Sequence, residues 1–114
     1  MPHLKQNHQI PCAFTRAMQV LSGRWDLVIC YKLLDNPLRF NEIKEELTSS
    51  FGKTIHAASL TQSLKRLEKE GIITREVNAE TMPVTVTYEL TEKGKALRNA
   101  INELKKWGEH WTEQ

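Results

Sequence analysis

The chain carries almost no excess charge. Sixteen Lys and Arg stand against 14 Asp and Glu, a formal net charge of +2 over 114 residues. A polyanionic partner cannot be argued from that total, only from where the charges lie. Long apolar runs are absent as well. None approaches the roughly 20 residues that span a bilayer, so no membrane partner is expected. The opening MPHLKQNHQIPC has no apolar segment of the secretion type, which makes the cytoplasm the expected compartment. Only two cysteines occur, Cys12 and Cys30. In a reducing compartment they read as free thiols, not as a structural bridge.

Catalytic signatures are missing too. There is no phosphate-binding glycine loop, no nucleophile motif and no carboxylate pair placed for acid–base work. Glu45-Glu46 and Glu68/Glu70 read as solvated helix positions. His3, His8 and Cys12 are too scattered to be read as a metal site. Cys12 as a catalytic nucleophile would need a paired histidine, and none is placed for it by sequence. The expectation is no enzyme, no cofactor and no metal.

What is present is a chain of single-domain size. A hydrophobic content of 39% beside 26% charged residues places it among soluble globular proteins rather than disordered ones. Residues 1–11 read as a loose polar tail and 12–114 as the domain. From Cys12 the spacing of Phe14, Ala17, Met18 and Leu21 predicts a helix, interrupted at Ser22-Gly23. A second helix carries Trp25, Val28, Ile29 and Leu33 on one face and stops at Asp35-Asn36-Pro37. The segment RFNEIKEEL predicts a short third helix, and TSSFGKT a loop. A fourth helix runs from about His56 to Glu70, with Leu60, Leu64 and Leu67 inward and Gly71 as its stop. IITREV and VTVTYEL read as two strands, with NAETMP between them as a turn or wing. Thr91 is placed to cap a last helix to the end, in which Gly94 counts as a mild cost.

Four helices, a two-stranded hairpin and a long last helix match the winged helix-turn-helix plan, a mainly α, α+β fold. Charge fits it locally. Lys53, Lys65, Arg66, Lys69 and Arg75 face only Glu68 and Glu70, a local excess of +3. Ser59, Gln62, Ser63 and Arg66 fall on the polar side of the fourth helix, where they could meet base edges and phosphates. A solvated helix face with charge pairs is the competing reading of the same residues. On the last helix Leu97, Ala100, Ile101, Leu104, Trp107 and Trp111 form a wide apolar stripe. It reads as a partner surface, or as packing against the chain's own first helices.

Several segments together resemble the HxlR-type winged helix-turn-helix transcription regulators of bacteria. They are CAFTRAMQVLSGRWDLVI, LRFNEIKEEL, LTQSLKRLEKEGIITREV and YELTEKGKAL, in that order, from Cys12 to about Trp107. The resemblance implies a homodimer joined by its terminal helices and reading a pseudo-palindromic operator in double-stranded DNA. The recognition helix would span about 56–70, the wing 72–90 and the dimerisation helix 91–113. It also puts Cys12 where some members sense oxidants or electrophiles. Independently, a cysteine at a helix start with Arg16 one turn along favours thiolate. An inert or buried thiol is the other reading, while Cys30 reads as a core residue.

The chain departs from the family pattern in places. Ala57, Ala58 and Ser59 are short where basic or amide residues are usual. Thr85 stands where the wing commonly has a basic residue, and Ala13 replaces the proline after the cysteine. The expected function is a homodimeric DNA-binding repressor, with an oxidant or small-molecule effector left open. Its expected DNA contacts are Arg39, Lys53, His56, Ser59, Gln62, Ser63, Lys65, Arg66, Arg75 and Thr85. Leu97, Ile101, Leu104, Trp107 and Trp111 are expected to hold the dimer. The alternative is a winged-helix protein–protein module with little sequence-specific DNA binding.

Overall fold

The computed structural model describes residues 12–112; the expected tail at 1–11 lies outside them. Helix α1 spans Ala13–Val20 and α2 Asp26–Leu33. A two-residue strand β1, Leu38–Arg39, leads into α3, Phe40–Phe51, and then α4, Ala57–Lys69. Strands β2, Ile73–Asn78, and β3, Thr85–Leu90, form the hairpin. A single turn α5, Glu92–Lys95, precedes α6, Arg98–Trp111. This is the winged helix-turn-helix architecture expected from the sequence.

Three expectations need correction. The sheet has three strands, in the antiparallel order β1-β3-β2, with Leu38 opposite Tyr88 and Arg39 opposite Thr87. Two residues carry too little alternation to announce β1. Second, α3 continues through Thr48-Ser49-Ser50-Phe51, the stretch read as a loop. Gly52 then ends it at φ 67°, a conformation that glycine adopts without a Cβ clash. The Phe51 ring meets Trp25 edge-on at 4.9 Å, which tethers this last turn to the start of α2. Third, the last helix is broken. The Leu97 N–H bonds the Gly94 carbonyl, three residues back, which tightens the chain between α5 and α6.

The core is one cluster. Ile29 from α2, Ile43 and Leu47 from α3, Ile55 from the turn, Leu60, Leu64 and Leu67 from α4, and Ile73 from β2 are fully buried together. Each α4 leucine lies on the face that period 3.6 assigned to it. Burying such side chains contributes about 1.5–3 kcal/mol each, so this cluster fixes how α4 sits on the domain. Gly71 at φ 76° turns the chain from α4 into β2, as expected of a helix stop.

Gly94 is more than a mild cost. A Cβ there would stand 2.3 Å from the Ile72 carbonyl oxygen, so glycine lets α5 lie directly on the start of β2. Thr91 locks the same junction. Its hydroxyl oxygen accepts from the Gly94 N–H at 3.2 Å, as an N-cap should. Lys93 reaches the Glu70 carbonyl at 2.7 Å. Arg98 donates to the Leu34 carbonyl at 2.9 Å and so pins the start of α6 to the end of α2.

Helix α1 contributes no buried residue, and Phe14 on it is 73% exposed. The radius of gyration is 16.6 Å, against roughly 13 Å for a compact chain of about this length. Among the described residues no helix is long and apolar enough to cross a membrane.

Candidate DNA interface and terminal-helix surface

The site starts with what orients α4. The carboxylate of Asp26, at the start of α2, is completely buried. It accepts from the Gly23 N–H at 2.9 Å and from Arg66 on α4 at 3.1 Å (Nε) and 3.2 Å (Nη2). The same Arg66 Nη2 lies 3.3 Å from the Ser63 hydroxyl. Asp26 accordingly raises the pKa of the Arg66 guanidinium, chiefly through this hydrogen bond. A Cβ on Gly23 would collide with Arg66, so the Ser22-Gly23 break makes room for the arginine. The result is a clasp between the α1–α2 turn and one flank of α4.

The clasp draws two of the expected DNA contacts away from the outer side of α4. Ser63 is 2% exposed and faces inward, because α4 is rotated to bury it beside Leu60, Leu64 and Leu67. Arg66 turns its guanidinium to Asp26, whose buried carboxylate would be left without a cation otherwise. The remaining expected residues on α4, Ser59, Gln62 and Lys65, are exposed. So is His56, in extended conformation just before the helix, and its side chain makes no capping bond. Ala58 and Lys69 are exposed on the same outer side as Gln62 and Lys65, and the expected contact set omitted both.

Around α4 the cations are unequal. Lys53 lies exposed in the turn before it and Arg75 exposed on β2. Arg39 is exposed but pairs with Glu42 at 3.4 Å. The Arg39 backbone N–H also donates to Glu42 at 2.8 Å, and this bond, with the guanidinium, holds the Glu42 carboxyl below the usual range. Thr85 opens β3 opposite Asn78, with its hydroxyl 3.3 Å from that of Thr81. The wing beyond it is apolar and acidic: Met82 is 93% exposed, and Glu76 and Glu80 are exposed nearby.

The residues expected to hold a dimer divide into two groups. Ile101 is buried in its own chain's core and Leu97 packs against that core, so these two are occupied already. Leu104, Trp107 and Trp111 are more than half exposed. Leu27, Val28, Tyr31, Ile101, Leu104 and Lys105 line a shallow, almost wholly apolar groove between α2 and α6.

Cys12 is exposed at the start of α1, with Sγ 3.2 Å from the Thr15 hydroxyl. That bond lowers the thiol pKa and is the largest cause of the shift. Cys30 is buried, as expected, and burial followed by the nearby Asp26 charge pushes it up to about 12.

The family model for the HxlR-like helix-turn-helix matches residues 20–114. The chain belongs to this family. It is 39% identical to the HTH-type transcriptional regulator YvaP of Bacillus subtilis strain 168 over 108 residues, 95% of this chain and 94% of YvaP. The oxidised form of the redox regulator HypR superposes with a TM-score of 0.79 at 33% identity, covering 90% of this chain and all of that one. The reduced form of YodB from B. subtilis does so at 0.72 and 35% identity, covering 91% and 97%. A quinone-bound form of YodB matches at 0.68 and 34% identity, covering 86% and 97%.

The chain is therefore a transcriptional regulator of HxlR type, and its helix-turn-helix family implies DNA binding. In this HxlR-type chain, sequence reasoning missed Asp26. Its signal was faint: an acidic residue beside Trp25, 40 positions from its partner. Only the three-dimensional fold brings Asp26 to Arg66.

Proposed function

We propose that this HxlR-family regulator is a cytoplasmic homodimeric repressor that binds a pseudo-palindromic operator in double-stranded DNA. We further infer that oxidants or electrophiles switch it through Cys12. The observation that carries the DNA reading is the outer side of α4. There Ser59, Gln62, Lys65 and Lys69 stand exposed, their side chains without a hydrogen-bond partner among the described residues, between the exposed cations Lys53 and Arg75. Amides suit base edges, and lysines suit phosphates.

Exposed Phe14 and Met18 on α1, with Leu104, Trp107 and Trp111 on α6, support self-association. They leave large apolar side chains in water that a second copy would cover. A two-fold axis there would set two α4 helices about one DNA turn apart, near roughly 34 Å. The outer side of α4 is exposed while both cysteines are free thiols, which supports DNA binding in the unmodified state. HypR is a redox regulator seen in oxidised and reduced forms, and YodB has a quinone-bound form. These relatives, with the exposed and acidified Cys12 thiol, support the switch. A thiolate can add to a quinone, or be oxidised to sulfenic acid and then condense with a second thiol to a disulfide.

Footprinting of the DNA upstream of the gene with reduced protein tests the proposal. The expected result is two protected tracts on one face of the duplex, centred about one helical turn apart. A single tract, or uniform weak protection, contradicts the dimer-on-palindrome arrangement.

A further inference from the structure

Operator binding, on which this inference rests, can be resolved to the level of single bases. The rotation of α4 about its own axis is fixed from two directions. Leu60, Leu64 and Leu67 hold one side in the core, and Arg66 is drawn to Asp26 on a flank. At about 100° per residue, the side farthest from those leucines carries Ala58, Gln62, Lys65 and Lys69, all exposed. Ser63 and Arg66 are excluded from it. Ser59 lies toward the clasped flank. In the amino-terminal half of the helix, which reaches base edges in helix-turn-helix complexes, the outermost side chains are therefore Ala58 and Gln62.

We propose that these two form the base-reading pair of this regulator. The Ala58 methyl packs on a thymine C5-methyl. The Gln62 carboxamide makes a bidentate contact to a neighbouring adenine, donating to N7 and accepting from the N6 amino group. Each pairing is the one the major-groove edge favours for that side chain. The short side chains in Ala57-Ala58-Ser59 serve a purpose here. They let the start of α4 approach the groove floor closely enough for a glutamine to span to a base. Ala58 and Gln62 are separated by about 6 Å of helix axis, and base steps by about 3.4 Å. The half-site should therefore hold its thymine and adenine contacts within two base pairs of each other. Lys65 and Lys69, farther along the same side, meet the phosphates as the groove turns away.

The test uses the full-length protein and a duplex that it selects from a randomised pool. Each thymine of that duplex is replaced by deoxyuridine, which removes only the C5-methyl. Each adenine is replaced by 7-deazaadenine, which removes only N7. Binding is then measured for the wild type, Ala58→Gly and Gln62→Ala. The expectation is one thymine per half-site whose replacement weakens the wild type about fourfold and leaves Ala58→Gly unchanged. Within two base pairs, one adenine should show a loss of about tenfold for the wild type and none for Gln62→Ala. Gln62→Glu, which can only accept, should move the preference at that position from adenine to cytosine. The substituted side chains are exposed, and a thermal melt of each variant separates lost contacts from lost fold. If the analogues have no effect on the wild type, or the same effect on the variants, the assignment of Ala58 and Gln62 is overturned while operator binding stands. If no sequence is enriched from the pool, both fall.

Discussion

Replacing Arg66 with alanine should unfold this protein more readily without changing how its DNA affinity depends on salt. A surface cation near a recognition helix would ordinarily be expected to do the opposite. The magnitude comes from the clasp. Asp26 is fully buried and accepts three hydrogen bonds, two of them from Arg66. The Arg66→Ala variant leaves a buried carboxylate with only the Gly23 N–H. Breaking a buried pair from one side costs about 3–5 kcal/mol. The Arg66 side chain is 32% exposed, so water can enter where the guanidinium was, and the expected loss falls to about 2–4 kcal/mol. For a domain of about this size that corresponds to a melting temperature lower by about 10–20 °C.

The assay is thermal or urea unfolding at one protein concentration, since the proposed dimer would make stability concentration-dependent. The double variant Asp26→Ala/Arg66→Ala closes the cycle. It should be markedly less destabilised than the sum of the single changes, because no charge is then left alone. Separately, the slope of log affinity against log salt should stay at its wild-type value, whereas losing a phosphate contact lowers it by about 1. A stability change within about 0.5 kcal/mol together with a shallower slope would show that Arg66 serves the DNA and not Asp26.

Gly94→Ala should destabilise by about 1–3 kcal/mol in urea unfolding, since the added methyl meets the Ile72 carbonyl and the Leu90 side chain; a neutral result would mean α5 can lift off β2. If the proposed dimer forms through α6, Trp107→Lys combined with Leu104→Lys should give a folded monomer by light scattering, as both side chains are more than half exposed; an unchanged dimer mass would move the interface elsewhere. In the native protein a thiol reagent should label Cys12 and leave Cys30 untouched until unfolding. The Cys12 rate should rise with pH to a midpoint below that of a free cysteine, because the Thr15 hydroxyl stabilises the thiolate. Thr15→Val should lose that early midpoint; an unchanged midpoint would mean that the Thr15 hydroxyl does not stabilise the thiolate. Diamide should weaken DNA binding of the wild type and not of Cys12→Ser, and an equal response of both would remove Cys12 as the switch.

The helices of the core were legible because their leucines and isoleucines repeat at helical spacing and each has one burial solution. Gly71 and Thr91 were legible for a local reason as well: a helix stop and an N-cap depend on neighbours within a few residues. The errors arose where long-range contacts decide. Thr48-Ser49-Ser50-Phe51 looks like a loop by composition, yet Phe51 packs edge-on against Trp25 and carries α3 a further turn. Gly94 looks unfavourable within a helix until Ile72 is seen beside it. At the candidate site, polar residues on α4 could be sorted into inward and outward only to the precision of a helical wheel. Ser63 sat on the border, and the clasp to Asp26 decided it. The pairing of Arg66 was hidden for the same reason, since nothing local announces a buried carboxylate 40 residues away.

The central claim is that this chain reads an operator through α4, and one titration tests it most directly. Reduced protein is titrated against the DNA upstream of its own gene and against a shuffled fragment of equal composition, at several salt concentrations. Binding to the native fragment at least about a hundredfold tighter, with affinity falling steeply as salt rises, is the result expected of specific contacts added to phosphate contacts. Equal, weak binding to both fragments would contradict it and would make the winged helix a surface for a protein partner instead.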